Sequence, residues 1–203
     1  MQMDGEGRMF DDLPNLPAGQ RWRQQAFPAP IVVAIIRREQ EDAEPHYLLI
    51  QRQATTYRGQ WALVGGKWDF GETLATAVTR EVREETGLVA DFVALCGVVS
   101  ERVAPPADDL PGAHFLLLVC ELAAPEGTAV EQTEGAVGWF TPTDIARLHD
   151  RQAIIPSDYA MLRRFARPSA QSVHIEAEMI SAIGGAAYYP TELRRFEEGN
   201  GRR

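Results

Sequence analysis

Three glutamates stand at i, i+3 and i+4 in the run REVREETG: Glu81, Glu84 and Glu85. Such a spacing brings their side chains together on one stretch of a helix, where like charges repel by several tenths of a kcal/mol per pair. On a helix at roughly 100° per residue, Glu81 and Glu85 project within about 20° of Leu74, and Glu84 lies at the edge of that face. Leu74, Ala77, Val78 and Val82 share the same side, which should face a core, whereas Thr76, Thr79, Arg80 and Arg83 lie opposite. Purely solvated acids belong opposite the apolar stripe. A divalent cation would turn the repulsion into attraction, and hard carboxylate oxygens suit Mg²⁺ or Mn²⁺, which stay partly hydrated and bridge to phosphates. The pattern therefore points to a metal site on a helix, preceded by the Gly65-Gly66 pair, whose backbone can approach a ligand closely.

The helix that must hold these acids is expected from Thr73 to Thr86, with Thr73 as N-cap and Gly87 in the left-handed position after the end. Before it come a buried strand from Ile31 to Arg38, a second from Tyr47 to Arg52, and a short one from Trp61 to Val64. After it, strands are expected at Phe92–Val99, His114–Leu122 and AVGWF, with Glu101 to Ala113 reading as a proline-rich loop over the site. Thr141, Pro142 and Asp144 form a helix start. A last helix should begin near Ser157, with Ser157 itself able to cap it and Tyr159, Leu162 and Phe165 facing inward.

With 203 residues, 45% of them hydrophobic, the chain can bury one domain with extensions. Residues 1–29 read as an N-terminal extension, 30–166 as the domain, and 167–203 as an appendage for docking or dimer contact, with one amphipathic segment from Ile175 to Ile183 and then a polar tail. A net charge of −9 argues against nucleic-acid and membrane partners. Cys96 and Cys120 lie in apolar runs as core thiols, and the chain reads as a soluble, cytoplasmic protein. The four histidines share no zinc spacing with the cysteines.

Taken whole, the stretch from Gly66 to Leu88 resembles the Nudix box, Gly-x5-Glu-x7-Arg-Glu-U-x-Glu-Glu-x-Gly-U, with U a bulky aliphatic residue. Gly66, Glu72, Arg80, Glu81, Val82, Glu84, Glu85, Gly87 and Leu88 occupy every specified position. The resemblance implies an α/β/α sandwich with a mixed sheet between helices. It implies hydrolysis of a nucleoside diphosphate linked to another moiety, with Mg²⁺ or Mn²⁺ held by Glu81, Glu84, Glu85 and the Gly66 carbonyl. By the same resemblance Arg80 and Glu72 form a structural pair, and the general base is Glu81 or a downstream loop acid, Glu131 or Glu134; Glu134 is also a candidate extra metal ligand. Arg52, Trp68 and Asp158 are candidate substrate contacts, Asp158 for the base. Arg52 and Asp158 each have a plainer alternative, a strand-end arginine and an acid favoured at a helix start, whereas Trp68, a large aromatic at a box position that rarely needs one, reads as exposed to substrate beside the metal site.

The resemblance implies a small nucleotide as substrate, with a nucleoside triphosphate and an ADP-ribose-type compound both open. Pro105 lies seventeen residues beyond Leu88, just past the place where ADP-ribose-selective members often carry a proline. A second copy of the chain is the candidate protein partner. The competing reading is a ligand-sensing module of the same family without turnover, which would be expected to have eroded glutamates.

Overall fold

A computed structural model describes residues 28–39, 44–53, 57–104, 112–123, 135–166, 173–180 and 192–198. Nine strands and three helices occupy them: β1 (Ala29–Arg38), β2 (His46–Gln51), β3 (Trp61–Ala62), β4 (Val64–Lys67), α1 (Leu74–Thr86), β5 (Asp91–Val103), β6 (Ala113–Ala123), β7 (Val137–Phe140), α2 (Pro142–Asp150), α3 (Pro156–Phe165), β8 (Val173–Ile180) and β9 (Glu192–Glu198).

The β-branched run of β1 is the keel. Along one edge it pairs in parallel with β6 from Ala29 to Ile36. Its other edge is divided: β4 pairs antiparallel with Ile31–Ala34, and β2 takes over at Arg37 and Arg38. Because side chains alternate across a strand, Val32, Ala34 and Ile36 join Ala77, Val78 and Val82 of α1 in one buried cluster. Val33 and Ile35 join Ile145 of α2 and Met161, Leu162 and Phe165 of α3 in the other. The result is helix, mixed sheet, helix.

The segment expected as one strand from Trp61 to Val64 is two. At Leu63 the chain leaves the edge of β2, paired through β3, and moves to the edge of β1, paired through β4. β5 also runs past its expected end at Val99. Glu101, Arg102 and Val103 pair with Phe115, His114 and Ala113, so the expected loop begins later, and Pro105 lies outside the described residues. Beyond residue 166, β8 pairs in parallel with β5, and β9 pairs antiparallel with β8. Ile175, Ala177 and Met179 are buried at every second residue, and the polar tail contributes β9.

The helix ends follow local chemistry. Thr73 Oγ1 accepts from the Thr76 N–H at 3.2 Å, and Gly87, at φ 71°, donates its N–H to the Arg83 carbonyl. At α2 the Thr141 hydroxyl oxygen accepts from the Asp144 N–H while Asp144 accepts from the Thr141 N–H, a reciprocal box. Replacing Thr141 by Ala should cost about 1 kcal/mol of stability by urea unfolding, with no change in the slope of the transition. Ser157 does not cap α3. The N-cap is Ile155, without a side-chain bond. Backbone bonds of Trp61 with Ala153 and Ile155 fix that helix start against β3 instead. Among the described residues no helix is long and apolar enough to cross a membrane.

Candidate active site

Gly65 and Gly66 bring β4 against two elements at once. A Cβ on Gly65 would strike the Val32 carbonyl oxygen of β1, so only glycine allows the approach. A Cβ on Gly66 would lie 2.5–2.7 Å from all three atoms of the Glu81 carboxyl group. The glycine thus leaves a cradle, occupied by the Glu81 carboxylate. In a Gly66→Ala variant that carboxylate must swing away. The fold should survive, because the far end of a side chain can move, but turnover should fall at least about tenfold in a steady-state assay, since catalytic groups tolerate little displacement.

The glutamates are held by different partners. Buried Glu85 accepts the Gly65 N–H at 3.1 Å through Oε2. Arg80 takes the others. Its Nε and Nη2 donate to the two oxygens of Glu72 at 2.8 and 3.0 Å, a bidentate clamp. Its Nη1 donates to Glu81 Oε1 at 2.8 Å and Glu84 Oε2 at 3.0 Å, and Nη2 also donates to the Lys67 carbonyl at 3.0 Å. The guanidinium hydrogen bond holds the Glu72 carboxyl below its ordinary range, and the three acids push the Arg80 pKa upward, Glu72 most of all. Among the described residues no three acidic, His or Cys side chains converge into a ready-made metal cage, because the guanidinium gathers Glu81 and Glu84 while Glu85 turns to the Gly65 amide. The donor set still suits a hard divalent ion. It comprises carboxylates on one helix face and a glycine backbone brought against one of them.

Trp68 packs partly against the cluster under α1, and its Nε1 donates to the Glu72 carbonyl at 3.0 Å. Its indole therefore braces the loop that carries Glu72. The neighbouring Phe70 is fully exposed. Asp158, in the first turn of α3, accepts the Leu63 N–H through Oδ2 at 2.8 Å. Leu63 and Gly65 thus direct two amides from the outer edge of one extended segment to two carboxylates. Burial pushes Asp158 up to about 7, helped by the charge of Glu101 and opposed by the Leu63 amide and Arg52. Arg52 is thus within electrostatic reach of Asp158. Glu131 and Glu134 lie outside the described residues.

Glu101 is a residue that sequence reasoning does not single out: expected in a loop, it is a buried acid on β5 next to the Ser157 hydroxyl. The available signal was the alternation Val99, Glu101, Val103, which continues the inward face of the strand.

The family model of the NUDIX domain matches residues 28–165. The chain belongs to the Nudix family. It is 36% identical over 98 residues to an ADP-ribose pyrophosphatase of Methanocaldococcus jannaschii, covering 48% of this chain and 55% of that protein. It is 31% identical over 163 residues to an 8-oxo-dGDP phosphatase of Mus musculus, covering 73% of this chain and 45% of the relative. A CTP pyrophosphohydrolase of Escherichia coli is 31% identical over 141 residues, 68% of this chain and 96% of the relative. The chain spans about half the length of the first two of these relatives. The crystal structure of a MutT protein from Bacillus halodurans superposes with a TM-score of 0.61 at 20% identity, covering 84% of this chain and 97% of the other, a likeness of fold. This Nudix fold is the α/β/α sandwich with a mixed sheet.

Proposed function

We propose that this Nudix protein hydrolyses the pyrophosphate linkage of a small nucleotide, a nucleoside triphosphate or an ADP-ribose-type compound, with Mg²⁺ or Mn²⁺. The observation that carries this reading is the Glu81 carboxylate cradled against Gly66 and tied through Arg80 to Glu72 and Glu84. Glu81, Glu84, Glu85 and the Gly66 carbonyl would hold the metal, which supplies charge neutralisation on the diphosphate and a more acidic bound water. The chain's own groups do the positioning. Arg80 sets the Glu81 carboxylate, the candidate proton acceptor, and Glu85 is fixed on the Gly65 amide. Arg52 and Asp158 supply the far end of the substrate site. The names of the relatives, ADP-ribose pyrophosphatase and CTP pyrophosphohydrolase, support an anhydride-cleaving activity without choosing a substrate.

The test is phosphate release, with products resolved by chromatography, from nucleoside triphosphates (common and oxidised), ADP-ribose, NADH, sugar nucleotides and diadenosine polyphosphates, with and without Mg²⁺ or Mn²⁺. A preferred, metal-dependent substrate supports the reading. Metal-dependent binding without turnover of any of them would overturn it in favour of a sensor.

A further inference from the structure

Trp68 sits where the sheet hands over to the loop that carries Glu72. It follows Lys67, the last residue of β4, and its backbone N–H still reaches the Pro30 carbonyl of β1 at 3.4 Å. The indole packs against the buried cluster under α1, and its Nε1 donates to the Glu72 carbonyl at 3.0 Å. Asp69, Phe70 and Gly71, which span the gap, are all exposed, and Gly71 turns through φ 88°. Within the loop the Glu72 N–H reaches the Asp69 carbonyl and the Asp69 N–H reaches Glu72 Oε2, both at 3.3 Å, longer than the usual range. The indole bond is shorter than either. Of the three, it alone ties Glu72 to the sheet rather than to the loop itself.

From Glu72 the connection runs on without a gap. Its carboxylate takes two bonds from Arg80, Arg80 Nη1 donates to Glu81 Oε1 at 2.8 Å, and the Glu81 carboxylate lies in the Gly66 cradle. The same Nη1 holds Glu84. A guanidinium is always charged, so it competes with a divalent cation for these two carboxylates. The bidentate grip on Glu72 is what holds it back, and that grip requires Glu72 to stay where the indole puts it. With Glu72 adrift, Arg80 follows the remaining acids and occupies them more tightly.

We propose that Trp68 is a positioning residue: its indole N–H fixes Glu72, and through Glu72 and Arg80 it sets how the Glu81 and Glu84 carboxylates are offered to a divalent ion. The inference rests on the metal-dependent hydrolase reading above and deepens it. It also corrects the expectation that Trp68 faces the substrate. An indole has one hydrogen-bond donor and no acceptor, and here that donor is engaged by a backbone carbonyl while the ring packs on the core. A large aromatic at this place is accounted for by the loop it anchors.

The experiment uses two variants of the intact chain. Trp68→Phe keeps a ring in the cluster and removes the donor, and Trp68→Leu removes the ring as well. In both, kcat should fall about fivefold, the worth of one ordinary hydrogen bond, while KM for the nucleotide stays within about twofold. Mn²⁺ binding, followed by calorimetry without nucleotide, should weaken by about the same factor. In a Glu72→Ala background, Trp68→Phe should add less than about twofold to either effect, because the connection is already cut. A tryptophan that stacks on substrate gives the opposite split, with Trp68→Phe close to wild type and Trp68→Leu raised in KM at unchanged Mn²⁺ affinity. That split, or full additivity with Glu72→Ala, would overturn the assignment. A wild type that binds Mn²⁺ but cleaves no nucleotide removes the hydrolase reading and leaves the binding comparison to decide this one. A wild type that binds no Mn²⁺ overturns both.

Discussion

Glu85→Gln should lower metal-dependent turnover at least about a hundredfold while leaving the fold intact. Glutamine keeps an oxygen that can accept the Gly65 N–H, so the link from α1 to β4 survives. What it removes is a negative charge from the carboxylate set expected to hold the metal, and much of such catalysis is carried by that ion. Glu84→Gln should behave likewise with even less effect on stability, because Glu84 is 59% exposed and its pairing with Arg80 is that of a surface i,i+4 pair. The measurement is kcat for each variant across a Mg²⁺ titration, with thermal melts alongside. Wild-type rates in both variants would remove Glu84 and Glu85 from the metal site.

Arg80→Ala should be the most damaging single change to this region. It cuts the bidentate bond to Glu72 and the bonds to Glu81, Glu84 and the Lys67 carbonyl together. Breaking a buried pair costs about 3–5 kcal/mol and an exposed one 0–1. With Arg80 about a quarter exposed, about 2–3 kcal/mol is expected. The pH dependence carries its own signature. The Glu72 pKa is depressed in the folded chain, so its contribution is complete above the ordinary value of 4.5 and is lost as the pH falls through the lowered one. The stability gap between wild type and Arg80→Ala should therefore narrow on acidification below about pH 4.5, as read by urea unfolding at a series of pH values. A gap of the same size at pH 3 and pH 7 would show that the ion pair is not its source.

The elements that could be read in advance are those with local chemistry to announce them. Thr73 and Gly87 mark the ends of α1, and Thr141, Pro142 and Asp144 mark the start of α2, because caps satisfy backbone groups within a few residues. The continuous run of β1 announced a strand buried on both faces. What escaped depends on distant partners. Glu101 and Arg102 look like a loop until β6 and β8 flank them, with Glu101 turned inward and Arg102 outward. In β9, Leu193 and Phe196 are three apart and break the two-residue period. A register shift at Arg194 nevertheless lets both pack on the cluster under α3. The acids of α1 were legible from spacing, but the distribution of their bonds was not. It depends on where β4 delivers the Gly65 amide and the Gly66 cradle, and so on the pairing of β4 with β1.

The divided edge of β1 also determines how the molecule should breathe. Its amides are flanked by β6 on one side and by β4 and β2 on the other, so exchange with solvent there requires an opening close to global unfolding. Among the described residues β9 pairs with β8 alone, and its outer amides should exchange early. Because Gly65 and Gly66 lie in β4 and pair directly with β1, the glutamates of α1 are referenced to the last part of the sheet to open. Loosening at the β9 end should leave that reference intact.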